Sequence, residues 1–339
     1  MFQVVPRWLL VATSVLLIPF VAIATLPFVI QPSSSPGPPA ASRPTPTVSA
    51  SPTIIAAVPA DAAHAGTAGT AQPGRTIVVK DANKDPLPKN AQQAAAVKRG
   101  AQIFNDTATY AKEYSPNSAL TCASCHINGG QQMGALPLTG VGPQFPEYNT
   151  RSNRMFTLTD RILDCFARSV NGKRPAPESS EAVAVATYLM WISDGQPAGT
   201  NPPWRGQNKI ADQNLIPIPK LDPQRGQQMY EQKYALCHQA NGQGSGQGPS
   251  AVPPLWGDKS FNDGAGLARL YTFAGFIRYA MPLNAPGTLN DEEAQQIAAY
   301  VLSHDRPAYP TKDQDYVGVK MPVDAVYYPQ QYPQNPLKR

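Results

Sequence analysis

Two thiols three residues apart, followed at once by an imidazole, stand at Cys122-Ala123-Ser124-Cys125-His126. Such a run holds a haem through two thioethers and ligates its iron, so it reads as c-type haem attachment and dictates what must be built around it. A reduced copy, Tyr234-Ala235-Leu236-Cys237-His238, recurs downstream in matching surroundings. It implies a second haem, attached by a single thioether at Cys237. The chain reads as a dihaem cytochrome.

Both motifs sit in one repeated plan. An amphipathic helix leads into each, over Asn90 to Phe104 and over Asp222 to Lys233, and Arg-Gly recurs within both at Arg99-Gly100 and Arg225-Gly226. A loop rich in Gly and Pro follows, then a helix bearing a candidate distal ligand, then a last helix at Ser179 to Ile192 or Asp291 to Leu302. The expected fold is all-α, two cytochrome c domains in tandem over residues 76–205 and 206–310. The proline-rich stretch from Ser193 to Leu221 reads as the connector, and residues 311–339, dense in Tyr, Pro and Gln, as an extended arm lying over a domain.

With 37 prolines in 339 residues, much of the chain cannot be packed core. Residues 31–75 are Pro, Ala, Ser and Thr with few large apolar groups and read as a disordered tether. Residues 1–30 carry Arg7 and then an apolar run from Trp8 to Ile30, which is signal or anchor material. Ala22-Ile23-Ala24 offers a cleavage site, but the run is long enough to span a bilayer, and we read it as an uncleaved anchor. Together with c-type haem this places the folded part in the periplasm, tethered to the inner membrane. A net charge of +5, dispersed along the chain, argues against nucleic acid as a partner.

Each attached histidine needs a second iron ligand from a distant part of its domain. For the second haem, Met281 is the candidate opposite His238, because Pro282 ends a helix just after it. For the first, Met133 follows His126 too closely to reach the opposite face, whereas Cys165 keeps about the sequence distance that Met281 keeps from His238. Arg161, one helical turn before Cys165, is expected to lower the thiol's pKa and favour thiolate. A thiolate ligand should lower the potential of the first haem below that of the second, so electrons run from the first to the second. Arg151, Arg154, Arg161, Arg168, Lys173 and Arg174 crowd the same region. Arginine forks suit oxyanions, and a small sulfur oxyanion beside a thiolate is the natural substrate class. About half of these cations, Arg168 and Arg174 among them, read as solvated charges. His64, in the tether, and His304, read as a solvated helix-end residue, are set aside as ligands.

From Asn90 to Pro310 the chain resembles the dihaem thiosulfate dehydrogenases, which join two thiosulfates into tetrathionate. The resemblance is carried by Cys-Ala-Ser-Cys-His-Ile-Asn-Gly-Gly, Phe145-Pro146-Glu147-Tyr148, Arg151-Ser152, Asp160-Arg161-Ile162, Cys165-Phe166, Ser169 and Asn171-Gly172. Leu255-Trp256-Gly257, Ser260-Phe261-Asn262, Gly264-Ala265-Gly266 and Met281-Pro282 extend it into the second half. It implies His126 and Cys165 as ligands at a catalytic haem, His238 with a methionine at a transfer haem, and substrate contacts at Arg151, Arg161, Ser169 and Lys173. Two departures stand out. The family's second motif has two cysteines where this chain has Tyr234, and a lysine found before the methionine is here Ala280, so no lysine-for-methionine ligand exchange is expected.

The expected chemistry is attack by Cys165 on the outer sulfur of thiosulfate while arginines hold the sulfonate. Electrons then leave through both haems to an external acceptor: a cytochrome c, a high-potential iron-sulfur protein or a terminal oxidase. The reaction could also run as tetrathionate reduction. Two alternatives stay open: a cytochrome that transfers sulfur as a cysteine persulfide, and a membrane-tethered electron shuttle, to which Cys165 would be superfluous.

Overall fold

The computed structural model of the chain describes residues 77–338, apart from 117 and 247. The expected anchor, tether and His64 lie outside the described residues. Among the described residues no helix is long and apolar enough to cross a membrane.

Among the described residues, six helices of at least eleven residues make the frame: α1 (Ala91–Asn105), α2 (Leu158–Arg168), α3 (Ser180–Trp191), α4 (Pro223–Lys233), α5 (Leu270–Ala280) and α6 (Asp291–Ser303). Five begin on a side-chain cap, from Asn90, Thr157, Ser179, Asp222 and Asn290, each accepting an amide that the helix leaves without a partner. In α4 the cap is followed by Pro223, whose missing N–H costs nothing in the first turn.

The repeated Arg-Gly has a structural cause. Helix α1 crosses α3 at Gly100, where an added Cβ would collide with the Ala184 carbonyl and stand 2.7 Å from the Tyr188 Cβ. Helix α4 crosses α6 at Gly226 in the same way, colliding with the Gln296 carbonyl and standing 2.9 Å from the Tyr300 Cβ. The preceding arginines repeat too, Arg99 lying 3.8 Å from Glu181 and Arg225 bonding Glu292 at 2.5 Å. Each half is thus a first helix locked across a last helix, with the haem motif emerging from the first.

The described residues fall in one compact unit, and a single apolar cluster runs from Val97 and Phe104 in α1 to Leu270 in α5 and Leu302 in α6. The helical reading needs one addition, an antiparallel ribbon of β1 (Glu147–Asn149) and β2 (Arg154–Phe156), with Glu147 opposite Phe156. Its turn, with Asn153 at φ 49° and the Asn149 side chain accepting the Ser152 amide, presents Arg151. Three-residue strands carry too little alternation to stand out in sequence. Beyond Arg306 the chain has no long helix but packs closely: Ala325, Val326, Tyr328 and Leu337 are buried, and Asp324 accepts from Arg269.

Candidate functional site

The capping box at the start of α2 aims the helix. Thr157 and Asp160 exchange side-chain-to-amide bonds at 3.0 Å, and Arg154 donates to Asp160 at 2.9 Å, holding that carboxyl far below its ordinary range. Cys165, two turns on, then faces a cavity of about 350 Å³. Cys122, Cys125, His126, Cys165, Ser169, Arg151 and Arg161 all line it, with Phe104, Leu138 and Val185 among its apolar walls.

His126 donates from Nδ1 to the Leu136 carbonyl at 2.6 Å, which Leu136 presents from a left-handed conformation, φ 50°. That bond fixes the tautomer and leaves Nε2 for a metal. Burial keeps His126 neutral by lowering its pKa, the form that ligates. A neutral imidazole, a sulfur donor from a separate element and apolar walls fit haem.

Burial drives the thiols the other way. Cys122 and Cys125 are each pushed up to about 12, and Cys165 is also raised. For Cys165, Arg161 pulls down as expected, helped by Arg151 and Ser169, but burial outweighs it and Asp164 adds to the rise. The expectation that cations alone would favour thiolate is therefore corrected, because removing a charge from water costs more than neighbours across a cavity return. A bound metal ion deprotonates a thiol outright.

The cations are not equivalent. Arg151 is deeply placed, donating from Nη1 to the Gly264 carbonyl at 2.7 Å, while its Nε is buried without a partner. Arg168, expected to be solvated, is buried instead: it donates to Asp164 at 2.8 Å and to both oxygens of Asp315 at 2.6 and 2.7 Å. Its guanidinium lies 3.9 Å from the Tyr309 ring centre, so the chain beyond the last helix consumes this arginine. Lys173, expected among the substrate contacts, is exposed and does not line the cavity. Gly172 before it abuts the Tyr114 backbone, and the Lys173 amide bonds the Tyr114 carbonyl at 2.8 Å, turning the side chain outward. Arg174 is exposed, as expected, beside Asp160 and Asp164, and Arg154 lies over Phe156 at 4.4 Å.

A narrower cavity of about 40 Å³ occupies the second half, lined by His238, Met281, Tyr234, Leu255, Phe276 and Ile297 among others. His238 repeats the first site's device, donating from Nδ1 to the Pro253 carbonyl at 2.9 Å, and burial lowers its pKa. Tyr234 fills one side, stacked on Tyr230 at 6.0 Å with its hydroxyl buried and unpartnered. Cys237 is exposed, beside His238 in the short helix Ala235–His238, and does not line the cavity. Met133 is exposed and lines neither cavity. His304 is not a solvated residue: it stacks on Trp256 at 3.9 Å.

Cys125, Phe261 and Leu267 line both cavities, so one layer of side chains separates them. The sequence reading missed Arg205, which also lines the larger cavity and pairs with Glu147 there, while Arg161 stands 4.0 Å from the same carboxylate. It lies in the connector, and the available signal was Trp204: a large aromatic in a linker marks a docked segment, and Trp204 donates to the Thr139 carbonyl at 2.9 Å.

Residues 106–198 match the SoxA/TsdA cytochrome c domain, and residues 221–301 match cytochrome c oxidase, cbb3-type, subunit III. The chain is similar to the thiosulfate dehydrogenase of Stutzerimonas stutzeri, 39% identical over 66% of this chain and 71% of that one. It is similar to that of Psychrobacter arcticus, 37% identical over 77% and 78%. Among solved structures it resembles thiosulfate dehydrogenase (TsdBA) from Marichromatium purpuratum in the as-isolated form, with a TM-score of 0.61 and 33% identity over 67% of this chain. The chain spans 49% of the length of that solved chain. Fold and site define an electron-transferring c-type cytochrome, whose two cytochrome c domains imply haem c in each. Within that class, the chain belongs to the thiosulfate dehydrogenase family.

Proposed function

We propose that this chain oxidises thiosulfate to tetrathionate on the outer side of the bacterial inner membrane. The observation that carries the reading is the meeting of Cys165, Ser169, Arg151 and Arg161 with the Cys122-Cys125-His126 motif around one cavity. His126 and Cys165 would hold the first haem iron, His238 and Met281 the second; Cys122 and Cys125 would form two thioethers and Cys237 one. Haem bound in these sites would supply the one-electron redox chemistry; Cys125, Phe261 and Leu267 form the wall between the two cavities.

The protein's part is nucleophilic and electrostatic. Arg151 offers its unpartnered Nε to the sulfonate oxygens of the first thiosulfate, presenting the outer sulfur to Cys165. A Cys165–sulfur bond forms as two electrons leave, giving a cysteine bearing the sulfur and sulfonate of that thiosulfate. The outer sulfur of a second thiosulfate then attacks the cysteine-bound sulfur, tetrathionate departs, and Cys165 returns as thiolate. Two thiosulfates give one tetrathionate and two electrons, the difficult sulfur–sulfur coupling being split into two steps.

The test is thiosulfate-dependent reduction of ferricyanide by the haem-loaded protein, with tetrathionate quantified beside a Cys165→Ser variant that keeps both haems. Tetrathionate in a one-to-two ratio to thiosulfate, lost in the variant, is expected; full turnover by the variant would overturn the scheme.

A further inference from the structure

Tetrathionate carries a sulfonate at each end, with its sulfur–sulfur bonds between. A site that assembles it needs two anion-binding poles, with the nucleophile between them. Four arginines line the larger cavity: Arg151, Arg161, Arg168 and Arg205. Arg168 is committed to Asp164 and Asp315 and has little left to offer an anion. Arg151 forms the deep pole, its side chain only 13% exposed, with a donor left unsatisfied. The side chains of Arg161 and Arg205 are 42% and 32% exposed and belong to the mouth.

Resting on the thiosulfate reading, we propose that Arg205 and Arg161 form a second sulfonate subsite at the cavity mouth, with Glu147 as the positioning residue between them. Glu147 accepts from Arg205 through one carboxylate oxygen. Its other oxygen stands 4.0 Å from Arg161 Nη2, beyond hydrogen-bond reach, so Arg161 keeps free donors. Two guanidinium groups near one another repel; a carboxylate between them holds them together while leaving a net charge of +1 for the incoming dianion. The backbone supports the arrangement. Glu147 starts β1, whose ribbon also presents Arg151, and Arg205 follows Trp204, which anchors the connector to Thr139. Arg205 also donates to Asn201 at 3.0 Å, fixing its fork toward the cavity rim. The connector is therefore part of the substrate site as well as a link between halves.

The experiment compares Arg205→Gln, Arg205→Lys and Glu147→Gln as haem-loaded full chains, measuring kcat and KM for thiosulfate and inhibition by tetrathionate. Arg205→Gln should raise the thiosulfate KM and weaken tetrathionate inhibition by roughly tenfold each, the loss of a charged hydrogen-bond donor, with kcat little changed. Arg205→Lys, which keeps the charge and the pairing but loses the fork, should fall between. Glu147→Gln removes the charge that holds the two cations together but leaves both cations in place, so its KM should rise less than that of Arg205→Gln. If the Arg205–Glu147 pair only braced the connector, the two glutamine variants would raise KM equally and Arg205→Lys, which keeps the pairing, would match the wild type, and that result overturns the subsite. Unchanged KM and inhibition in Arg205→Gln, with wild-type protein forming tetrathionate, overturns it as well. Wild-type protein that forms no tetrathionate removes the thiosulfate reading itself and the subsite with it.

Discussion

At the scale of single residues, Tyr234 is the substitution with the clearest chemical consequence. It stands where a first thioether cysteine would stand, buried against the smaller cavity with an unpartnered hydroxyl. The second haem should thus keep one unsaturated vinyl group. A pyridine haemochrome spectrum of the wild type should show two populations of haem, and Tyr234→Cys should merge them at the doubly attached position; a wild-type spectrum already of that single form would contradict the single thioether. The thiols, His126 and His238 were legible in the sequence because covalent attachment imposes a fixed local spacing. Cys165 and Met281 were legible from their equivalent places in two copies of one plan. Arg168 and Arg205 were not, because whether an arginine is solvated, buried or poised depends on carboxylates far away in the chain, such as Asp315 and Glu147.

At the scale of elements, the repeated Arg-Gly was visible as a pattern, but its cause was not. Only the crossings of α1 with α3 and of α4 with α6 show that the glycine is required by a neighbouring backbone rather than by its own conformation. Gly226→Ala should accordingly cost about 2 kcal/mol or more of stability in denaturant unfolding, since neither helix can move without opening the haem pocket between them. Gly266→Ala is the matched control, with nothing within 4 Å of its added Cβ, and should leave stability unchanged. The helices themselves were readable from periodicity and caps; the β1–β2 ribbon, held by an asparagine turn and two short strands, was not.

At the scale of the molecule, the segment after α6 ties the two halves to the cation cluster. Asp315 pairs with Arg168, Tyr328 donates to Asp315 at 2.6 Å, and the Tyr316 amide bonds the Arg151 carbonyl at 2.6 Å. Asp315→Asn should cost about 2 kcal/mol in unfolding experiments, because it leaves the buried Arg168 guanidinium with Asp164 as its remaining carboxylate partner. Breaking the exposed Lys338–Asp305 pair by Lys338→Met should be nearly silent. The sequence suggested an arm lying over a domain, but low hydropathy hid that its tyrosines and aspartates would complete a buried ionic network. The wall of Cys125, Phe261 and Leu267 has its own consequence in electrochemical terms. Haem groups bound at the two cavities would share a field across that single layer of side chains, so reducing one would make the other harder to reduce. The midpoint read for either centre would then depend on the oxidation state of its neighbour, and the pair would behave as one capacitor charged in two steps.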